Sequence, residues 1–508
     1  MKKINYLLAA LLVAATVSCN SNHQNISKPT KESKIQVVKD KKHKKNSDAR
    51  HKKGIEFMAD YQKEIRKPIN AEKSTYKKGY LIEEFQKLKK QQRSRKDDTE
   101  ITTVFTERGP ANVPGRTRGI AIDPTNANRW FFGTVGGGVW LTENAGATFV
   151  NLTDNTIPNL ATSTIVISPQ DKNTLYVGTG EPFGNLGAIG GSGVYKTTDG
   201  GVTWESLSNT VSFGDIGKII INPNDKNNVL VGTRTGIYRT TDGGANWSQT
   251  FISSNTVQDL DADPTDFNIQ YGSVGNFGIV KSIDGGITWS TSFDRADFNG
   301  NHSRFELSVS PADSNYIYLS VYSGSGGTYT NTDFYQSMDK GATYTKLTTS
   351  SPNANLITGQ GWYDNVIMAH PFNTNAFYVG GVAVFKVTVT NTNFTFQSIA
   401  SGYDGNQINS EVHVDQHGLS YILGDDQEFR ILLANDGGVY STTYSSNPGA
   451  INGTWSATAA GKNSTQFYAA TKQNGEDNYI AGAQDNGSWI SSGNNSTLTK
   501  TYQKNIRR

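Results

Sequence analysis

The phrase YRTTDGGANW at 238–247 recurs as YKTTDGGVTW at 195–204 and VKSIDGGITW at 280–289, with looser copies YQSMDKGATY at 335–344 and WLTENAGATF at 140–149. Each copy sits inside a longer unit. An apolar strand runs into an Asp-Pro or similar turn, as in RGIAIDPTN, STIVISPQD, GKIIINPND and NVIMAHPFN. A second strand ends in glycine and threonine (WFFGT, LYVGT, VLVGT), and a third (GVYKT, GIYRT) leads into the box. Eight such units follow one another at spacings of about 40 to 60 residues, the period of propeller blades. The expected fold is therefore all-β: a β-propeller of about eight, seven to eight, four-stranded blades over 101–508. The last unit, QFYAATKQNG to YIAGAQDNGSWIS, runs out after its third strand, and TTVFTERGP at 102–110 is expected to supply the missing one and close the ring.

The box reads as a structural turn. Its Asp and Ser/Thr side chains can bond amides within the turn, its glycines permit positive φ, and its Trp offers an apolar plug. An active site is built once. Five copies spaced around a ring, all at one rim, cannot converge on one substrate.

The remaining chain is read from charge. MKKINYLLAALLVAATVSCN has the basic start, apolar stretch and small-residue end of an export signal, too short for a membrane span. Cys19 is the single cysteine, so the chain can form no internal disulfide. TVSC resembles a bacterial lipobox, which makes Cys19 the lipidation site of an exported, outer-membrane or surface lipoprotein; the alternative is an ordinary signal with an incidental cysteine. Residues 20–100 hold 23 basic against 12 acidic residues, whereas 101–508 hold 23 against 33. We read 20–100 as a solvated basic stalk, with short helices expected in EFMADYQKEIRK and YLIEEFQKLKKQQ. No nucleic-acid partner is expected, because the folded part is acidic. Membrane contact is expected through the lipid anchor alone.

Three boxes, at Thr240, Asp242, Gly244 and Trp247, at Thr197, Asp199, Gly201 and Trp204, and at Ser282, Asp284, Gly286 and Trp289, match the Ser/Thr-x-Asp-x-Gly-x-x-Trp pattern and resemble Asp-box (BNR) repeats. That resemblance implies a propeller of the sialidase, glycoside hydrolase family 74 or sortilin type. GPANVPGRTRGIAIDP, GQGWYDNVIMAHP, HVDQHGL, ANDGGVYST and AGAQDNG resemble the sortilin-like, glycosyl-hydrolase-labelled BNR proteins displayed by Bacteroidetes. Each type meets a departure. The eleven arginines of 101–508 and the lack of a FRIP-like stretch argue against a sialidase, and the cysteine-rich module of sortilins is missing. Family 74 enzymes carry an aspartate in the turn after the second strand of the first unit; GTVGGGVW has Val135 there.

Propellers take ligands over the channel, at the loop end opposite the boxes. Loops before the first strands supply Arg116, Arg118, Asp215, His302, Arg304, Trp362, Tyr363, Asp364 and Glu411 leading to His413. Loops between second and third strands supply Glu181, Arg234, Asp436 and Asp485. Candidate ligand-binding residues are Arg116, Arg118, Arg234, Trp362, Tyr363, His413 and Asp415; candidate catalytic carboxyls are Glu181, Asp364, Asp436 and Asp485. His413, Asp415 and His417 alternate and are expected on one side of a strand, which spreads the histidines about 13 Å apart, too far to share one metal. No calcium loop appears; LDADPTD at 260–266 is a partial pattern, so no cofactor is expected, with structural calcium left open. Two readings survive: a recognition propeller whose mouth binds a polysaccharide or a protein or peptide, and a family 74-like glycoside hydrolase using paired carboxyls about 5 to 9.5 Å apart.

Overall fold

A computed structural model describes residues 112–502 apart from short stretches at 186, 298–301, 326–327, 352–353, 403–407, 459–461 and 492–498, together with parts of 60–94. Cys19, the signal segment, the stalk up to 59 and the strand expected at 102–110 lie outside the described residues. The helix expected in YLIEEFQKLKKQQ is present as Tyr80–Ser94.

The described chain forms eight four-stranded antiparallel sheets, each built from consecutive strands. It is a β-propeller. Blades 1 to 7 cover 117–151, 162–206, 216–252, 257–294, 302–346, 366–400 and 416–457, and the eighth sheet covers 467–502. The first strand of each blade packs on the first strand of the next, and Gln416–Leu423 of blade 7 packs back on Thr117–Ile122 of blade 1. The ring therefore closes at seven. Its seam is as apolar as the others: Trp130, Phe132 and Trp140 interlock with Ile422, Leu432 and Val439. The eighth sheet stands outside the ring and supplies its own fourth strand, Thr499–Tyr502, so the unit expected to run out after three strands completes itself.

Local sequence explains the layering. Second strands such as Trp130–Thr134, Leu175–Thr179 and Ala376–Gly380 are buried at every position, because a neighbouring blade covers each face. Such strands read as continuous apolar runs instead of alternating ones. The recurrent glycine in these strands answers a steric demand from the next blade. A Cβ at Gly178 would come 2.6 Å from Ile216, and one at Gly232 would come 2.7 Å from Val257.

All five boxes form the same turn. In the third, Gly244 N donates to Thr240 Oγ1 at 3.0 Å and Asn246 N to Asp242 Oδ1 at 2.9 Å. The pairs Gly201–Thr197, Gly286–Ser282, Gly341–Ser337 and Gly146–Thr142 repeat the first bond at 2.8 to 3.0 Å. Two of the three box tryptophans bond beyond their own sheet. Trp204 Nε1 donates to Leu152 O of the preceding blade at 3.1 Å, and Trp289 Nε1 to Thr250 Oγ1 at 3.2 Å. Each box thus ties its own turn, and those of blades 2 and 4 also pin a blade seam.

Candidate functional site at the channel mouth

The seven first strands line a central channel of about 610 Å³, walled by residues including Arg118, Phe183, Lys218, Asp261, Arg304, Glu306 and His417. Its mouth is organised around Arg116, which precedes the first strand of blade 1. Arg116 Nε donates to Asp436 Oδ1 at 2.6 Å, Nη1 to Glu181 Oε1 at 3.1 Å and Nη2 to Asp485 Oδ2 at 2.9 Å. Loops far apart in sequence meet here. Glu181 follows the second strand of blade 2, Asp436 lies in the matching turn of blade 7, and Asp485 occupies the turn between Tyr479–Ala483 and Gly487–Ser491 of the eighth sheet.

The side chains of Arg116, Glu181 and Asp436 are 1 to 3 % exposed, while Asp485 keeps 27 %. Burial alone would favour the neutral form of the two aspartates. For Asp436, Arg116 and then His417 outweigh burial and hold the carboxyl well below its ordinary range. For Asp485, burial and the neighbouring Asp436 raise the carboxyl to about 7 against the pull of Arg116. His417 is pushed down to about 3 by burial and then by Arg118, so its ring is neutral. Its Nε2 therefore donates to Asp436 Oδ1 at 2.7 Å. Tyr363 lies beneath both arginines, with its ring centre 5.3 Å from the Arg116 guanidinium and 5.0 Å from that of Arg118. Its hydroxyl is 3.4 Å from Asp436 Oδ1.

Asp364 belongs to a second carboxyl pair. It is fully buried, and burial followed by Asp415 raises it well above the carboxylate range. Gln360 Nε2 bridges the pair, donating to Asp364 Oδ2 at 3.3 Å and to Asp415 Oδ1 at 3.1 Å. Arg304 positions the adjoining loop: Nη1 donates to Tyr363 O at 2.7 Å and Nη2 to Asn365 O at 2.9 Å. That loop leaves Trp362 39 % exposed beside Tyr363, with ring centres 5.4 Å apart.

Of the residues singled out from the sequence, Arg116, Glu181, Tyr363, Asp436 and Asp485 share one network. Asp364 and Asp415 form the neighbouring pair. Arg234 is held by Asp215 on blade 3, and Asp215 also accepts from Gly191 N at 2.6 Å. His302 is buried against Ser323 in blade 5. The expected alternation of His413, Asp415 and His417 does not occur, because the strand begins at Gln416. His413 and Asp415 lie in the turn before it, Asp415 at φ 64°, and the His413 ring nitrogens sit 2.9 Å from Val414 O and 3.2 Å from Asp485 O. Among the described residues no group of three or more His, Cys, Asp or Glu is arranged to hold a metal.

Sequence reasoning passed over Glu306 and Phe183. Glu306 accepts from Arg304 Nε at 2.9 Å and is raised to about 8, by burial against the opposing pull of Arg304. The alternation Arg304, Glu306, Ser308 in a first strand was the available signal, since residues two apart share the channel face. The Phe183 ring lies 3.8 Å from the Arg304 guanidinium and 5.2 Å from that of Arg118.

Compared with known proteins, no family model matches the chain. A probable oligoxyloglucan-reducing end-specific xyloglucanase of Neosartorya fischeri is 31 % identical over 102 residues, which is 19 % of this chain and 11 % of that protein. The crystal structure of an ancestral GH74 enzyme superposes with a TM-score of 0.61 at 18 % identity, covering 79 % of this chain and 56 % of the other. The GH74 xyloglucanase of Xanthomonas campestris aligns over 77 % of this chain and 74 % of its own at 13 % identity, with a TM-score of 0.33. The chain spans about a tenth of the curated relative's length and just over half of the ancestral enzyme. At these identities the likeness is one of fold: this chain and the ancestral GH74 enzyme share the β-propeller architecture.

Proposed function

We propose that this propeller binds a polysaccharide of the β-glucan or xyloglucan class at its channel mouth, and that it does so as a recognition module. The supporting observation is the state of the carboxyls. Glu181, Asp436 and Asp485 all engage Arg116, and the first two are almost wholly buried. Asp436 Oδ2 and Asp485 Oδ2 accept from the same Arg116 nitrogen, at 3.4 and 2.9 Å, so both carboxyls are engaged by one guanidinium, whereas glycosidase pairs face each other across about 5 to 9.5 Å of substrate space. Exposed Trp362 beside Tyr363 offers a flat apolar face of the kind sugar rings stack on. The polysaccharide class is drawn from the xyloglucanase and GH74 likenesses. We further read the five turns as Asp-box repeats and the chain as a surface lipoprotein anchored through Cys19.

The test is affinity electrophoresis of the full chain in gels containing xyloglucan, mixed-linkage β-glucan or no polymer. Retardation is expected in at least one polymer gel, and Trp362→Ala should weaken it by about tenfold or more, in line with the loss of a central aromatic anchor. Unchanged mobility of the wild type in every polymer gel would defeat the reading.

Hydrolysis is kept as a second reading because of one observation. Asp485 is partly exposed and raised to about 7 beside an ionised Asp436, so it holds a transferable proton near neutral pH. Reducing-sugar release that Asp485→Asn abolishes would establish the hydrolase. No release from polymers that the chain retards on leaves binding as the function.

A further inference from the structure

The turn at 483–487 of the eighth sheet lies across the mouth of a ring to which that sheet does not belong. Three contacts hold it there. Arg116 Nη2 donates to Asp485 Oδ2 at 2.9 Å, His413 Nε2 is 3.2 Å from Asp485 O, and Asn486 Nδ2 donates to Asp436 O at 3.0 Å. The same Arg116 nitrogen also donates to Asp436 Oδ2 at 3.4 Å, so the carboxyls of Asp485 and Asp436 sit side by side on one guanidinium. Two carboxylates side by side are acceptors only and repel, whereas a proton on one of them makes the pair a donor and an acceptor. We propose that the turn is a proton-gated cap: the eighth sheet docks over the channel mouth while Asp485 and Asp436 share a proton, and lifts when that proton leaves.

The surrounding charges make the proton decisive. Around Asp485 stand Arg116 from blade 1, Tyr363 from blade 6, and His413, Asp415 and Asp436 from blade 7; Glu181 of blade 2 shares Arg116, and His417 is bonded to Asp436. Arg116 is the cation that bonds Asp485, and it already carries Glu181 and Asp436. Ionising Asp485 sets its charge beside that of Asp436 on the same guanidinium nitrogen and near Asp415. His413 meets Asp485 through the backbone carbonyl, so its contribution is separable from the carboxyl's.

The direction follows from linkage. Docked Asp485 sits raised at about 7, whereas a released aspartate titrates at about 3.9. A group raised in the docked state contributes fully below the released value, and that contribution is lost as pH rises through the docked value. Docking therefore weakens between about pH 4 and about pH 7. The cap concerns access to the mouth, and stands or falls whatever the mouth binds.

Hydrogen exchange on the full chain tests it, with labelling times corrected for the intrinsic pH dependence of exchange. Amides of 479–491 should lose at least about tenfold protection between about pH 5.5 and about pH 7.5. Amides of Phe429–Asn435, inside blade 7, serve as the control and should hold steady. Asp485→Asn keeps a donor toward Asp436 at every pH and should flatten the change, whereas His413→Gln should retain it. Constant protection of 479–491 in the wild type overturns the cap without recourse to any variant. The same slope in Asp485→Asn as in the wild type overturns it equally.

Discussion

Lys462 shows how one side chain can run against the fold that contains it. It is fully buried, its Nζ lies 5.5 and 5.3 Å from the ring centres of Phe132 and Phe149, and its hydrogen bond to Thr117 Oγ1 is 3.5 Å long. Burial lowers the amine from its ordinary 10.5 to about 7. An unfolded chain holds that proton up to about 10.4, so between the two values the unfolded state binds more protons and stability rises with pH. Lys462→Met removes the buried amine and should stabilise the protein by about 1 to 3 kcal/mol near neutral pH. The gain should shrink toward pH 10 as the wild type recovers. Urea midpoints of the two proteins across that range would check this; parallel curves would show that Lys462 stays charged. Lysine is a common surface residue, and nothing in GKNSTQ marks this one as buried. Asp485 and Asp436 were legible as loop residues departing from the repeat, but not as partners on one guanidinium.

At the level of strands and turns the sequence was far more explicit. Alternation, apolar runs and Gly-Thr endings marked the strands, because each is a local response to a face that must be covered. The box shows the same economy at Gly243 and Gly244, both of which have positive φ, +71° and +97°. A Cβ at Gly244 would lie 2.5 Å from Leu207 Cδ1, in the apolar seam with blade 2, whereas one at Gly243 would meet the flexible end of Lys196 at 2.6 Å. Gly244→Ala should therefore cost about 2 to 3 kcal/mol, from strain plus overpacking. Gly243→Ala, which meets the side-chain ends of Lys196 and of Asn227 (2.8 Å), should cost only about 1 kcal/mol. Thermal unfolding of the pair measures the difference, and equal losses would mean that the seam yields at Leu207. Where pattern misled, at His413 and Asp415, the cause was a turn. Asp415 adopts a left-handed conformation that alternation does not anticipate.

For the molecule as a whole, seven-fold closure separates the ring from the eighth sheet. A chain ending at Gln466 keeps all seven blades and the Ser464 hydroxyl that accepts from Gly115 N at 3.0 Å. It should unfold in one cooperative transition, within about 1 to 2 kcal/mol of the full chain, because no seam of the ring is cut. Calorimetry would decide; a truncated chain without a transition would show that the eighth sheet is part of the ring's core. Repeat number was countable from the chain, since every unit announces itself by strands, turn and box. The number that closes a ring was not, because it depends on the wedge angle between packed blades, a sum of side-chain volumes at seven seams. The same reason divides the mouth. Which residues break the repeat is written locally, in loops such as GTGEPFGNLG and GQGWYDN. That one guanidinium gathers Glu181, Asp436 and Asp485 follows only once closure brings blades 1, 2 and 7 and the eighth sheet within a few ångströms. Charge states are then set by that burial and proximity, and neither property belongs to any stretch of chain taken alone.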